Sequence, residues 1–170
     1  MSHPPRLRAV SIGLALCAAL SLAACSKDSD LADASGLAGG GRGGAGAPGS
    51  AQDFVVNVGD RVFFESDSTD LTPTATATLD KQAAWLQRYP RYSFLIEGHA
   101  DERGTREYNF SLGARRAQAV NDYLASRGIA SGRMRTVSYG KERPVAVCND
   151  ISCWSQNRRA VTVLDRGAGS

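Results

Sequence analysis

A glycine-rich run limits which parts of this chain can fold. Between Gly36 and Gly49, glycine alternates mainly with small residues, and several aspartates precede the run. A segment of this composition cannot bury a core and is typical of a flexible coil. The sequence therefore predicts a leader and linker up to residue 52, and one domain of ordinary size over residues 53–166.

The first 24 residues resemble a bacterial lipoprotein signal. Arg6 and Arg8 precede an apolar stretch that begins at Ala9, and the residues Ala23-Ala24-Cys25 follow it. Basic residues, an apolar stretch and small residues in this order mark an export signal that is removed. An uncleaved membrane anchor is the alternative, but the stretch is shorter than the roughly 20 residues that span a bilayer. We therefore expect residues 1–24 to be cleaved off and Cys25 to be lipidated, so that residues 25–52 form a lipidated N-terminus and linker.

Charge and cysteine content narrow the classes of function. The formal net charge of +3 falls by two, to +1, when Arg6 and Arg8 leave with the signal. A nucleic-acid binder is therefore not indicated, because such proteins usually carry a strongly basic face. Cys148 and Cys153 remain in an oxidising compartment, which favours a disulfide between them. These two thiols and one mature histidine, His99, are too few ligands for a zinc site, and no cofactor is expected.

Residue patterns predict the element order β-α-β-α-β-β within the domain. The first strand region contains the strand-forming residues Phe54–Val56 and Arg61–Phe64, and the other three strands are Tyr92–Gly98, Met134–Tyr139 and Arg159–Leu164. Helical spacing occurs from Thr72-Pro73 to Tyr89 and from Tyr108 to Ser126. The segment that holds the two cysteines is expected to be irregular. This order predicts an α+β domain, in which one mixed four-stranded sheet carries two main helices on one face.

An arginine interrupts the apolar side of the second predicted helix. Leu112, Arg116, Val120 and Leu124 follow one another at intervals of four and share one side. The Arg116 head could reach out to water, pair with a local acid, or wait for a carboxylate from a ligand. The loop before this helix contains Asp101 and follows a strand, which is a common place for ligands. Asp101 and Arg116 could together clamp a zwitterion, or simply pair with each other.

Three sequence blocks resemble a known domain family. Residues 97–124 read EGHADERGTREYNFSLGARRAQAVNDYL, residues 137–144 read VSYGKERP, and residues 157–161 read NRRAV. The first block resembles the core signature of the OmpA-like peptidoglycan-binding domain. The other two are similar to the lipoprotein branch of that family, the peptidoglycan-associated lipoproteins. The resemblance covers most of residues 54–164 and implies an OmpA-like fold.

The resemblance implies a site for the peptide stem of peptidoglycan, where the domain grips the amino-acid end of diaminopimelate. By motif position, Asp101 and Arg116 hold the ligand, and alanine at either position is expected to abolish binding in a domain that stays folded. Ser66 stands where many members carry an aromatic residue. The remaining implied residues are Arg103 on the loop, Asn109 and Leu112 in the wall, Asp67 on the far side, and Asn157 and Arg158 at the rim.

The resemblance also implies partners and a location. The partners are peptidoglycan, TolB and other proteins of the Tol system, and the role is to support envelope integrity and cell division. Because Ser26 stands where an Asp often retains lipoproteins in the inner membrane, we expect an outer-membrane anchor with the domain facing the periplasm. A wall anchor outside the Tol system is the alternative within the family. A hydrolase using Asp101 and Glu102 is the alternative from another class, but adjacent loop side chains diverge and no serine stands in a nucleophile-elbow motif.

Overall fold

The computed structural model describes residues 46–165. The predicted signal, Cys25 and the linker up to residue 45 lie outside this range. Within it, the elements in chain order are α1 (Ala51–Asp53), a π-helical turn (Phe54–Gly59), β1 (Arg61–Phe63), α2 (Pro73–Arg88), β2 (Phe94–His99), α3 (Arg106–Ser126), a 3-10 turn (Ser131–Arg133), β3 (Met134–Gly140), α4 (Ile151–Asn157) and β4 (Arg159–Leu164). None of the helices between residues 46 and 165 has the length and apolar character needed to cross a membrane.

The four strands form one mixed sheet in the order β1-β4-β2-β3. β2 and β3 are parallel, whereas β4 is antiparallel to both of its neighbours, β1 and β2. In the centre of the sheet, Ile96 lies opposite Thr136 on one side and Thr162 on the other. The predicted mixed four-stranded sheet is therefore confirmed.

The core lies between the sheet and the two long helices. Phe94 and Ile96 of β2 are fully buried, and they belong to one cluster with Leu79, Leu86 and Leu124 of the helices. Alternate residues of β2, such as Leu95, are only partly buried, as expected for a sheet covered on one face. The predicted pair of helices on one face of the sheet accounts for this core.

Local signals explain where the long helices begin. Thr72 caps α2 by accepting a hydrogen bond from the Ala75 amide, and Pro73 occupies the first helical position. Thr105 caps α3 in the same way through the Tyr108 amide, so that α3 begins at Arg106, two residues earlier than predicted.

Two parts of the secondary-structure prediction were wrong. Phe54–Val56 is helical rather than a strand, because Ser50 caps a helix there and Phe54 packs on Trp85 with ring centroids 4.9 Å apart. The folded part consequently begins before residue 53: Gly49 is buried, and its carbonyl accepts a hydrogen bond of 2.8 Å from the Tyr92 hydroxyl. The cysteine segment is not wholly irregular, since Asp150 caps α4 by accepting from the Ser152 amide.

Two glycines let the backbone of α3 approach the backbone of the sheet closely. A Cβ on Gly98 of β2 would clash with the carbonyl of Gly113 in α3, and a Cβ on Gly113 would clash with the Ser138 hydroxyl. This close approach fixes the first turns of α3 beside the loop that follows β2. The same loop carries Asp101, so the packing of two glycines positions the candidate site.

Candidate functional site

A cavity of about 260 Å³ lies where the loop after β1, the loop after β2 and the start of α3 meet. We call it the inter-loop cavity. It contains seven of the nine residues predicted to bind the peptide stem, namely Ser66, Asp67, Asp101, Arg103, Asn109, Leu112 and Arg116, together with Gly104 and Tyr108. A larger cavity of about 690 Å³ lies between the first turns of α3 and the end of β3, and none of the predicted residues lines it. We assign the candidate site to the inter-loop cavity, since charged and hydrogen-bonding groups converge there.

Asp101 stands at the end of β2 and is almost completely buried. Its Oδ1 accepts from the Arg103 amide and Nε, both at 3.2 Å, and its Oδ2 accepts from Arg103 Nη2 at 2.6 Å and Arg158 Nη1 at 3.3 Å. Burial raises the pKa of Asp101, but the hydrogen bonds from Arg103 and Arg158 outweigh it and hold that pKa below its usual value. Asp101 is therefore a carboxylate at neutral pH, and these four hydrogen bonds fill its acceptor sites.

Arg116 is fully buried and is held by backbone carbonyls. Its Nε donates to Ser68 O at 2.9 Å, its Nη1 to His99 O at 2.9 Å and its Nη2 to Glu65 O at 3.1 Å. Burial lowers the pKa of Arg116 to about 10, so the group still carries its charge at neutral pH. Two of the three explanations considered for this arginine are therefore wrong: its head neither reaches water nor pairs with an acid, because three carbonyls hold it inside. The third, a role in binding a carboxylate, stays a prediction.

Arg103 connects the two walls of the inter-loop cavity. Besides its bonds to Asp101, its Nη2 donates to the Ser66 hydroxyl at 2.8 Å. Asn109 is buried, and its Nδ2 donates to the Arg103 carbonyl at 2.7 Å, which ties the loop to α3. The hydrogen bond with Asp101 also raises the pKa of Arg103. Ser66 thus holds the Arg103 guanidinium by its hydroxyl.

Tyr108 lines the cavity, although it was not predicted as a site residue. Its hydroxyl donates a hydrogen bond to Asp67, and this contact raises the pKa of the Tyr108 phenol. Asp67 adopts a left-handed backbone conformation, with a φ of 56°, in the loop after β1. Tyr108 precedes Leu112 by four residues, so both share one side of α3. This spacing was the signal that could have identified Tyr108 from the sequence.

The remaining two predicted residues lie behind the cavity wall rather than at its rim, which corrects their expected position. Arg158 is buried, donates from Nε to Phe64 O at 3.0 Å, and reaches Asp101 from inside the domain. Asn157 is also buried and holds the segment after β3: its Oδ1 accepts from the Val145 amide at 2.9 Å. Both residues end α4 and lead into β4, which is a central strand and cannot move outward to form a rim.

Charges of both signs meet in the inter-loop cavity. The carboxylates of Asp67 and Asp101 and the guanidinium groups of Arg103 and Arg116 line it, and Arg158 reaches Asp101 from behind the wall. A guanidinium has five N–H donors, and three of those of Arg116 donate to backbone carbonyls. The arrangement can accept a carboxylate on its arginine side and a cationic group beside Asp67.

Groups that would serve a hydrolase do not converge here. Asp101 points into the inter-loop cavity, whereas the neighbouring Glu102 accepts a hydrogen bond from the Trp154 indole. His99 is buried against Tyr139, and burial lowers its pKa to about 4, so it is a weak base. Cys148 and Cys153 form a disulfide. Across residues 46–165, no three His, Cys, Asp or Glu side chains come together as a metal site.

Comparison with known sequences gives consistent matches. Residues 63–158 match the OmpA family. The peptidoglycan-associated lipoprotein of Rhizobium meliloti (strain 1021) is 65% identical over 158 residues, which cover 92% of this chain and 88% of the relative. The protein of the same name from Agrobacterium fabrum is 60% identical over 156 residues, with the same two coverages.

Comparison with solved structures agrees with the fold. The peptidoglycan-associated lipoprotein of Burkholderia pseudomallei is 42% identical, with a TM-score of 0.61 over 62% of this chain and 90% of that chain. The C-terminal domain of Helicobacter pylori MotB has a TM-score of 0.60 at 22% identity, over 64% of this chain and 86% of that chain. The second match is a likeness of fold alone.

Proposed function

Because this chain belongs to the OmpA family and, within it, to the peptidoglycan-associated lipoproteins, we propose that its domain binds the peptide stem of peptidoglycan in the inter-loop cavity. The sequence motifs predicted this family. The observation that carries the proposal is the position of Arg116, whose buried charge lines a cavity that also contains Asp67, Asp101 and Arg103. A buried cation held by neutral carbonyls is costly unless an anion approaches it, and a carboxylate ligand supplies that anion.

The ligand group that fits is a free amino-acid end. Its carboxylate would accept hydrogen bonds from those guanidinium N–H groups of Arg116 and Arg103 that do not already donate to protein acceptors. Its ammonium would approach Asp67, because the four acceptor sites of Asp101 are already filled. In this arrangement Asp101 acts chiefly by holding Arg103 and Arg158 and by balancing their charge.

Diaminopimelate offers this group at the end of its side chain, whereas a lysine stem ends in an ammonium alone. Each charge-assisted hydrogen bond to the stem would contribute about 1.5–3 kcal/mol. A cavity that makes only a few such bonds exchanges its ligand readily, which suits attachment to a wall under constant remodelling.

The proposed cellular role is to couple two layers of the envelope. A lipid on Cys25 would hold the N-terminus in the outer membrane, the segment that follows Cys25 would join it to the domain, and the domain would hold the wall without a covalent bond. The family also supports a partnership with TolB and other Tol proteins during cell division, in which the chain acts as a binding protein and not as an enzyme. A wall anchor outside the Tol system would bind sacculi equally well but would not retain TolB.

Binding to purified sacculi tests this function. The detergent-solubilised full chain is expected to sediment with diaminopimelate-containing sacculi, to release no soluble fragments, and to sediment poorly with lysine-containing sacculi. Asp101→Asn is expected to weaken sedimentation about tenfold or more, because the charge that positions both arginines is lost. Asp122→Asn, on the exposed side of α3, is the matched control and should bind like the unchanged chain.

Two results would overturn the proposal. Equal binding of Asp101→Asn and the control would show that the Asp101 charge does not position the arginines for the ligand, and would reject the proposed arrangement in the inter-loop cavity. Release of soluble wall fragments would favour the hydrolase.

A further inference from the structure

A tryptophan outside the inter-loop cavity contacts the arginine that crosses it. The guanidinium carbon of Arg103 lies over the Trp154 ring, 4.3 Å from its centroid. The indole N–H of Trp154 donates to Glu102, the residue before Arg103. Trp154 does not line the inter-loop cavity, so a direct contact with a ligand there is not indicated.

The helix that carries Trp154 is attached on both sides of this residue. The Cys148–Cys153 disulfide closes a short ring immediately before it. The Trp154 carbonyl accepts from the Arg158 amide at 3.0 Å, and the Arg158 side chain is anchored on Phe64 O and on Asp101. The backbone at Trp154 is therefore held by contacts that do not involve Arg103, and the bond from the indole N–H to Glu102 restrains the ring.

Arg103 itself needs such support. Its side chain is 43% exposed, although its partner Asp101 is only 8% exposed. It also belongs to the loop between β2 and α3, and exposed loop arginines have many accessible rotamers. Asp101 and Ser66 hold only the Nε and Nη2 edge of the guanidinium. Stacking on an aromatic face adds a restraint on the orientation of the guanidinium plane that the hydrogen bonds lack.

We propose that Trp154 is a positioning residue of the inter-loop cavity, which acts on the bound peptide stem through Arg103. The inference rests on the proposed function, because Arg103 is expected to donate to the ligand. The stacked indole keeps the Arg103 guanidinium in its binding orientation before the ligand arrives. The conformational entropy of the Arg103 side chain is then lost on folding rather than on binding. The hydrogen bond from the Trp154 indole to Glu102 adds a second, weaker restraint on the loop.

A double-mutant cycle separates this role from a general structural one. The variants Trp154→Leu, Arg103→Ala and the double variant are compared as detergent-solubilised full chains by their affinity for diaminopimelate-containing sacculi. Trp154→Leu is expected to weaken binding about three- to tenfold, because the Arg103 guanidinium that a partly exposed cation–π contact keeps ordered must then be ordered on binding. In the Arg103→Ala background the same substitution should change affinity less than about twofold, because its target is gone.

A conservative variant and a spectroscopic measurement complete the test. Trp154→Phe keeps an aromatic face but lacks the N–H, and it should bind within about twofold of the unchanged chain. Arg103→Ala should shift the tryptophan fluorescence without any ligand, and this shift should vanish in the Trp154→Phe background, where Trp85 alone remains.

The results that contradict the inference differ from those that contradict the function. An equal loss of affinity from Trp154→Leu with and without Arg103 would show that Trp154 does not act through Arg103. A loss as large in Trp154→Phe as in Trp154→Leu would exclude stacking as the cause. Failure of the unchanged chain to bind sacculi would instead reject the proposed function, and this inference with it.

Discussion

Replacing Arg116 with alanine is expected to destabilise the domain strongly as well as to remove ligand binding. The substitution deletes a fully buried guanidinium and leaves the carbonyls of Glu65, Ser68 and His99 without their donor. The sequence predicted an alanine variant that stays folded; the buried contacts indicate that it does so only with a large loss of stability. Arginine at this position is part of the fold, since it joins α3 to the loops after β1 and β2.

The expected loss follows from the contacts. Hydrogen bonds from a charged donor contribute about 1.5–3 kcal/mol each, so three of them contribute roughly 4–9 kcal/mol. The cost of burying the charge, which lowers the pKa of Arg116 to about 10, offsets about 3 kcal/mol of this. Glu65 is exposed and Ser68 is half-buried, so their carbonyls also regain water in the variant. The net loss is therefore about 3 kcal/mol, which corresponds to a fall in Tm of roughly 10–15 °C for a domain of this size.

Thermal unfolding followed by near-ultraviolet circular dichroism measures this loss on the full chain in detergent. The matched control is Arg115→Ala, because Arg115 is the adjacent arginine on the exposed side of α3. It should unfold within about 2 °C of the unchanged chain, as surface substitutions usually do. Arg116→Lys keeps the charge but cannot reach three carbonyls with one ammonium, so its Tm should be intermediate. If Arg116→Ala and Arg115→Ala unfolded at the same temperature, the carbonyl contacts would contribute no net stability and the reasoning would be refuted.

Two further predictions concern pH and redox state. Burial lowers the pKa of His99 to about 4. Protonation of His99 should therefore not affect the free energy of unfolding above pH 6.5, and should lower it by up to about 3 kcal/mol as the pH drops to 4. The reason is that the unfolded chain binds the proton more readily. Urea unfolding at several pH values measures this slope, and an unchanged slope in His99→Phe would contradict it. Reduction of the Cys148–Cys153 disulfide should leave the domain folded at room temperature and change sacculus binding by less than about threefold, since the ring is short and neither cysteine belongs to the core. Unfolding by mild reductant alone would contradict this prediction.

The sequence by itself determined the architecture, because periodicity and capping act over short distances. The strand-forming residues of β2, the Thr72-Pro73 pair at the start of α2, and the apolar spacing of four that begins at Leu112 all indicated their elements correctly. Motif positions also identified seven residues that the fold brings to one cavity. The prediction was wrong at Phe54–Val56, where strand-forming side chains are helical because Phe54 packs on a distant tryptophan.

Only the tertiary structure decided how the charged groups of the site are paired. Arg116 lies 48 to 51 residues from two of its carbonyl partners, and Trp154 lies far along the chain from Arg103. Asn157 and Arg158 were expected at the rim, but β4 carries them inside, where Arg158 meets Asp101. The physical reason is that a hydrogen bond or a stacked pair depends on the approach of separate elements to within a few ångströms. Local sequence patterns specify each element and not the distance between them.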